Sequence, residues 1–163
     1  MIEEETTTLK TIDNKLIKVP KDILKKCRLL DGLIEDEDYK IIYLKEVDGN
    51  ALENILKYLN HYKDFEPKDF IKPFPEFADA HFFRSILNDD CTFDFLMEMT
   101  IEEAINTVNA ANYLQIHGLI DILAARLGYE LNNCSVEEAK KKFQIEDDMT
   151  EEEKAEYDKY PLN

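Results

Sequence analysis

Between Ile116 and Leu131 the chain places apolar side chains over more of a helix than one core-facing stripe needs. Ile116, Ile120, Ala124 and Leu127 recur at helical spacing. Leu119, Ile122 and Leu123 widen that stripe beyond the band of about 100° that a surface helix normally buries. Two arrangements satisfy the pattern. Either both faces are core, held between a strand layer and further helices, or part of the band is an apolar surface that a partner helix covers. Periodicity alone leaves both open. Phe143, Ile145 and Met149 follow in a segment otherwise crowded with Lys, Glu and Asp, so apolar groups recur where their surroundings are charged.

The rest of the chain divides into an early part rich in strand signals and a late part that reads as helix throughout. Thr7–Ile12 and Lys15–Val19 flank Asp13-Asn14, which predicts a hairpin with a two-residue turn. Pro20 stands where a helix tolerates it, at the head of Lys21–Cys27. Asp31–Asp38 reads as an exposed acidic loop, and Lys40–Leu44 as a third strand buried on both faces. Leu52, Ile55, Leu56 and Leu59 predict an amphipathic helix from about Asp48 to Tyr62. The prolines 67, 73 and 75 mark Lys63–Asp90 as a long connection.

Three capping boxes then punctuate the late part. Thr100 with Glu103, Ser135 with Glu138, and Thr150 with Glu153 each pair a hydroxyl N-cap with a carboxylate three residues on. Each box satisfies two backbone donors that a helix start leaves orphaned. They predict helices beginning at Ile101, Val136 and Glu151, with the Ile116–Leu131 helix between the first two.

Charge and composition narrow the function classes. A net charge of −16 disfavours nucleic acid and anionic membrane surfaces, both of which attract Lys and Arg. No apolar run approaches the ~18 residues of a transmembrane helix, and Met1–Glu5 lacks the basic-then-apolar build of a signal peptide. Cys27, Cys91 and Cys134 are odd in number and widely spaced, as expected of a reducing cytoplasmic or nuclear compartment. Catalytic signatures are missing as well. The four glycines form no phosphate-cradling motif. Asp79 and His81 lack further ligands at metal spacing, so neither a metal nor another cofactor is expected.

The late motifs carry a family resemblance. Leu96–Glu153 resembles the Skp adaptors, the S-phase-kinase-associated proteins that link F-box proteins to a cullin. The Ala-Ala-Asn-Tyr-Leu run at Ala110 through Asp121 is similar almost residue for residue, as is Ser135–Glu153. His61-Tyr-Lys-Asp64 is similar to the family's His-His-Lys-Asp, so the resemblance extends more loosely back to about Thr7.

That resemblance implies a mixed α/β (α+β) chain. A BTB/POZ-type domain over 1–131, with a small three-stranded sheet and helices, would be followed by a C-terminal helical extension over 132–163. It implies a non-catalytic SCF ubiquitin-ligase adaptor acting in ubiquitin-dependent protein catabolism, with F-box proteins and a cullin as partners and weak self-association when unliganded. By the same resemblance, Asn112 and Tyr113 match the cullin-facing pair. Ile120, Ala124, Leu127, Phe143, Ile145 and Met149 match the F-box-facing apolar positions. The chain departs from the family in two places. It has no Trp, with Phe93-Asp94 near the family's Trp-Asp and Tyr157, Tyr160 and Leu162 in the tail. Glu151 stands where some relatives carry a hydroxylated proline, so that modification is not expected. An elongin C-like adaptor and a BTB self-association module are the alternatives.

Overall fold

Alternation along three short strands sets the floor of the fold. The computed structural model describes residues 5–34, 40–64, 79–146, 148–157 and 159. The chain divides into two compact units, Met1–Asn133 and Cys134–Asn163. In the first unit, β1 (Thr6–Lys10) pairs antiparallel with β2 (Leu16–Pro20) and parallel with β3 (Ile41–Tyr43), giving the order β2-β1-β3. Leu9 lies opposite both Ile17 and Ile42, and this row turns inward. One residue further, Lys10 lies opposite Leu16 and Tyr43, and that row turns outward with the lysine ammonium 5.2 Å from the Tyr43 ring centre. Only one face of the sheet is covered. Ile42 is therefore buried while Ile41 and Tyr43 are exposed, and the expectation of a strand buried on both faces is corrected.

The hairpin loop is also longer than Asp13-Asn14. Thr11 N–H donates to the Lys15 carbonyl, so three residues, Ile12 to Asn14, make the turn. Asn14 supplies the left-handed residue, at φ 65°, that such a loop needs. The Asp13 carboxylate accepts the Gly49 N–H at 3.0 Å and ties the loop to the next long helix. A Cβ at Gly49 would come within 2.6 Å of the Lys15 side chain, which would have to shift to admit it.

Two helices follow β2 where one helix and an acidic loop are predicted. They are α1 (Lys21–Leu24) and α2 (Arg28–Ile34). Ile23, Cys27, Leu30 and Ile34 are all buried and recur at spacings of four, three and four. The helical apolar period therefore runs through Asp31 and on to Ile34; residues 35–38 of the predicted loop lie outside the described residues. Burial pushes the Cys27 thiol up to about 12, which leaves it an inert core group.

The remaining helices of the first unit wrap one core. In α3 (Gly49–His61), capped by Asp48, the residues Leu52, Ile55 and Leu59 are fully buried. α6 (Ile101–Tyr113) packs against both α3 and α7 (His117–Asn132) through the small side chains Ala104, Thr107, Ala110 and Ala111. The predicted connection from Lys63 to Asp90 is corrected at its far end, where α4 (Ala80–Leu87) and α5 (Asp90–Glu98) stand; residues 65–78 lie outside the described residues. Asp79 serves as the N-cap of α4 and accepts the Phe82 N–H at 2.7 Å, which gives that carboxylate a structural role. Phe83 stacks on Tyr129 of α7 at 5.4 Å and meets Phe93 of α5 edge-on at 5.9 Å.

A polar node joins α3 to α5. The Asp89 carboxylate meets His61 Nε2 at 2.6 Å and accepts from the hydroxyls of Tyr62 and Thr92, both at 2.9 Å. Burial raises its pKa, but the bonds from His61, Thr92 and Tyr62 outweigh that and hold it at about 2. Against an unfolded value of 3.8, the ionised group contributes about 2 kcal/mol of stability. That contribution is full above about pH 4 and is lost as pH falls through about 2. Asp89→Asn keeps an N-cap acceptor but removes the charge. It is expected to destabilise the fold by about 2 kcal/mol at pH 7, with the gap to wild type closing near pH 2. Urea unfolding at both pH values checks this.

The second unit contains α8 (Val136–Lys142) and α9 (Glu151–Tyr157). Ser135 and Glu138 form a reciprocal capping box, and Thr150 with Glu153 makes the same pair of bonds. Each carboxyl is held below its usual range by the backbone N–H of its N-cap.

Candidate protein-binding surfaces

The wide apolar band of α7 splits into a core side and a solvent side. Ile116, Leu119, Ile122 and Leu123 are buried, so that part of the band belongs to the core of the first unit. Ile120 and Leu127 are half-buried and Ala124 is exposed, and the three lie on one face at spacings of four and three. Leu131 extends the same stripe and is 45% exposed. It sits four positions after Leu127, at the same helical spacing. Arg126 beside the stripe is buried, donating to the Leu96 carbonyl at 3.3 Å and pairing with Glu130 one turn on. A cation in that setting has its partners supplied, so the position is structural.

Asn112 and Tyr113 occupy the last turn of α6. Asn112 is exposed, and Tyr113 is half-buried with its ring packed on the core. What fixes them is the helix stop. Gln115 takes φ 57°, its N–H donates to Asn112, and the Ile116 N–H reaches back to Ala111 at 2.9 Å. These two bonds make a Schellman stop with glutamine in the place usually given to glycine. The left-handed residue of that stop is Gln115, while Asn112 is helical and lends its carbonyl as acceptor.

The second unit repeats the device. Phe143 ends α8, Gln144 takes φ 52°, and the Ile145 N–H reaches Lys140 at 2.9 Å. Phe143 is half-buried, Ile145 is 55% exposed and Met149 is 37% exposed, while Val136 at the head of α8 is 68% exposed. Apolar groups left in water are costly, and here they stand among acidic and basic side chains.

These features define a class: a BTB/POZ-type α+β domain followed by a small helical unit, both presenting apolar groups. Residues 5–64 match the model of the Skp1 family tetramerisation domain. An S-phase kinase-associated protein 1 homolog of Tetrahymena thermophila is 30% identical over 148 residues, covering 90% of this chain and 86% of that protein. The E3 ubiquitin ligase complex SCF subunit sconC of Emericella nidulans is 28% identical over 152 residues, covering 92% and 90%. SKP1-like protein 14 of Arabidopsis thaliana is 25% identical over 148 residues, covering 90% and 88%. The chain belongs to the Skp1 family. Among the described residues, no helix is long and apolar enough to cross a membrane.

Proposed function

We propose that this chain is the non-catalytic adaptor of an SCF E3 ubiquitin ligase, joining a cullin scaffold to F-box substrate receptors for protein ubiquitination. The observation that carries the reading is the span of similarity. The Tetrahymena relative aligns over 90% of the chain, too much for the second unit to lie wholly outside the match. In this reading residues 1–131 form the BTB/POZ-type domain and present Asn112 and Tyr113 to the cullin. Residues 132–163 form the C-terminal helical extension, and the F-box-facing residues are Ile120, Ala124 and Leu127 of α7 together with Phe143, Ile145 and Met149 of the second unit. The partners are proteins rather than nucleic acid or membrane, in keeping with the charge of −16. The odd number and wide spacing of Cys27, Cys91 and Cys134 suit the reducing cytoplasm and nucleus.

An elongin C-like role is not favoured, because the relatives named as SCF subunits match nearly the full chain. Light scattering after size exclusion tests the adaptor reading. The chain mixed with an F-box domain is expected to elute as a one-to-one complex, which then takes up a cullin N-terminal domain. Weak self-association of the chain alone should disappear when the F-box domain is added. Failure to bind several well-folded F-box domains would overturn the reading, and a persistent dimer would favour a self-association module.

A further inference from the structure

The acidic character of this chain is reversed in one pocket of the first unit. A cavity of about 380 Å³ is lined by Lys25, Lys26, Arg28 and His117, with Tyr58 and Tyr62 among its walls and Gln115, Ile116 and Gly118 at its rim. Among the described residues no Asp or Glu lines it, although acidic residues outnumber Lys and Arg in the chain by 36 to 20. The basic groups come from two separate places. Lys25, Lys26 and Arg28 belong to the α1–α2 segment, and His117 opens α7. The two are brought together where the Leu29 N–H meets the Leu114 carbonyl.

Local folding does not require this grouping. His117 stands in the first turn of α7, where the macrodipole favours an acidic residue and none is present. α1, α2, α5, α6, α8 and α9 do carry Asp or Glu there, Asp31 accompanying Arg28 in α2. The Lys26 ammonium donates to the Tyr62 carbonyl, which holds its charge at the pocket wall. Lys25, Lys26 and Arg28 bring positive charge to one pocket, and an entering anion is attracted to it. Tyr58 and Tyr62 are buried to 4% exposure and lie 4.8 Å apart, so one side of the cavity is a rigid aromatic wall. A volume of this order suits a small molecule rather than a polypeptide segment.

We propose that the pocket formed by Lys25, Lys26, Arg28 and His117 binds a small phosphate-bearing anion. Lys and Arg suit tetrahedral phosphate oxygens as a point charge and a fork of donors respectively. This assignment stands apart from the adaptor reading, since it needs neither a cullin nor an F-box protein.

Amide NMR titration of the full chain with inorganic pyrophosphate at constant ionic strength tests it, with citrate as a carboxylate comparator. The result expected is saturable movement of the His117 and Gly118 amides with a Kd below about 1 mM. The paired substitution Lys25→Glu with Arg28→Glu is expected to weaken binding at least about tenfold. The paired variant Lys25→Gln with Arg28→Gln should give an intermediate loss, and spectra away from the pocket identify any variant that fails to fold. Non-saturating shifts spread over the surface, or binding unchanged in both variants, would overturn the proposal. Citrate binding as tight as pyrophosphate would overturn the phosphate assignment and point to a small carboxylate ligand.

Discussion

Replacing Phe143 with aspartate is expected to weaken F-box binding about a hundredfold or more while leaving the first unit folded. Phe143 is half-buried, and its place at the end of α8 is fixed by the left-handed turn at Gln144 and the Ile145 bond to Lys140. A partner helix that covers the ring would, in the variant, have to desolvate a carboxylate with nothing to pair it. Aromatic anchors at protein interfaces commonly contribute about 2–4 kcal/mol, and tenfold in affinity corresponds to about 1.4 kcal/mol. Added negative charge in a unit that already carries Glu137, Glu138, Glu146 and Glu151–Glu153 makes the penalty larger. Calorimetric titration of an F-box domain into each protein measures the loss. Ile145→Asp provides the second arm, because a side chain 55% exposed contributes little to folding and its loss reports the interface. Affinity within a few-fold of wild type in both variants would remove the C-terminal extension from the F-box surface.

The late helices were legible because their signals are local. A capping box needs three intervening residues and no knowledge of the fold, and the boxes at Thr100, Ser135 and Thr150 all stand at helix starts. The early corrections share a different cause. Ile42 and Tyr43 look alike in sequence, but only the covering of one sheet face makes one buried and the other exposed. The α1–α2 pair was hidden by Asp31, a charged residue that draws attention away from Leu30 and Ile34 although it simply faces solvent. α4 and α5 were masked because Phe83 and Phe93 find their partners in each other and in the distant Tyr129. On α7, the split of the band depends on where α6 and α5 pack, which no single-helix period contains. Only the resemblance proposes partners for these residues, while their exposure follows from the fold.

Tyr113→Lys is expected to abolish cullin binding and to leave F-box affinity within a few-fold of wild type. Tyr113 closes α6 as a half-buried ring, while the candidate F-box residues lie on α7 and in the second unit. Loss of such a ring at an interface centre, with an ammonium put in its place, is expected to cost about 3 kcal/mol or more, over a hundredfold in affinity. Because the ring also packs on the core, the substitution carries a folding cost of about 1–2 kcal/mol that has to be separated from the binding loss. Asn112→Arg separates them. Asn112 is exposed in the same helical turn, so enlarging it leaves the core untouched while a long cation intrudes on any partner seated there. Both variants losing cullin binding while retaining the F-box complex would assign the end of α6 to the cullin. If Tyr113→Lys also lost the F-box domain and melted at lower temperature, with Asn112→Arg behaving as wild type, the turn would be structural and the cullin face would lie elsewhere on the first unit.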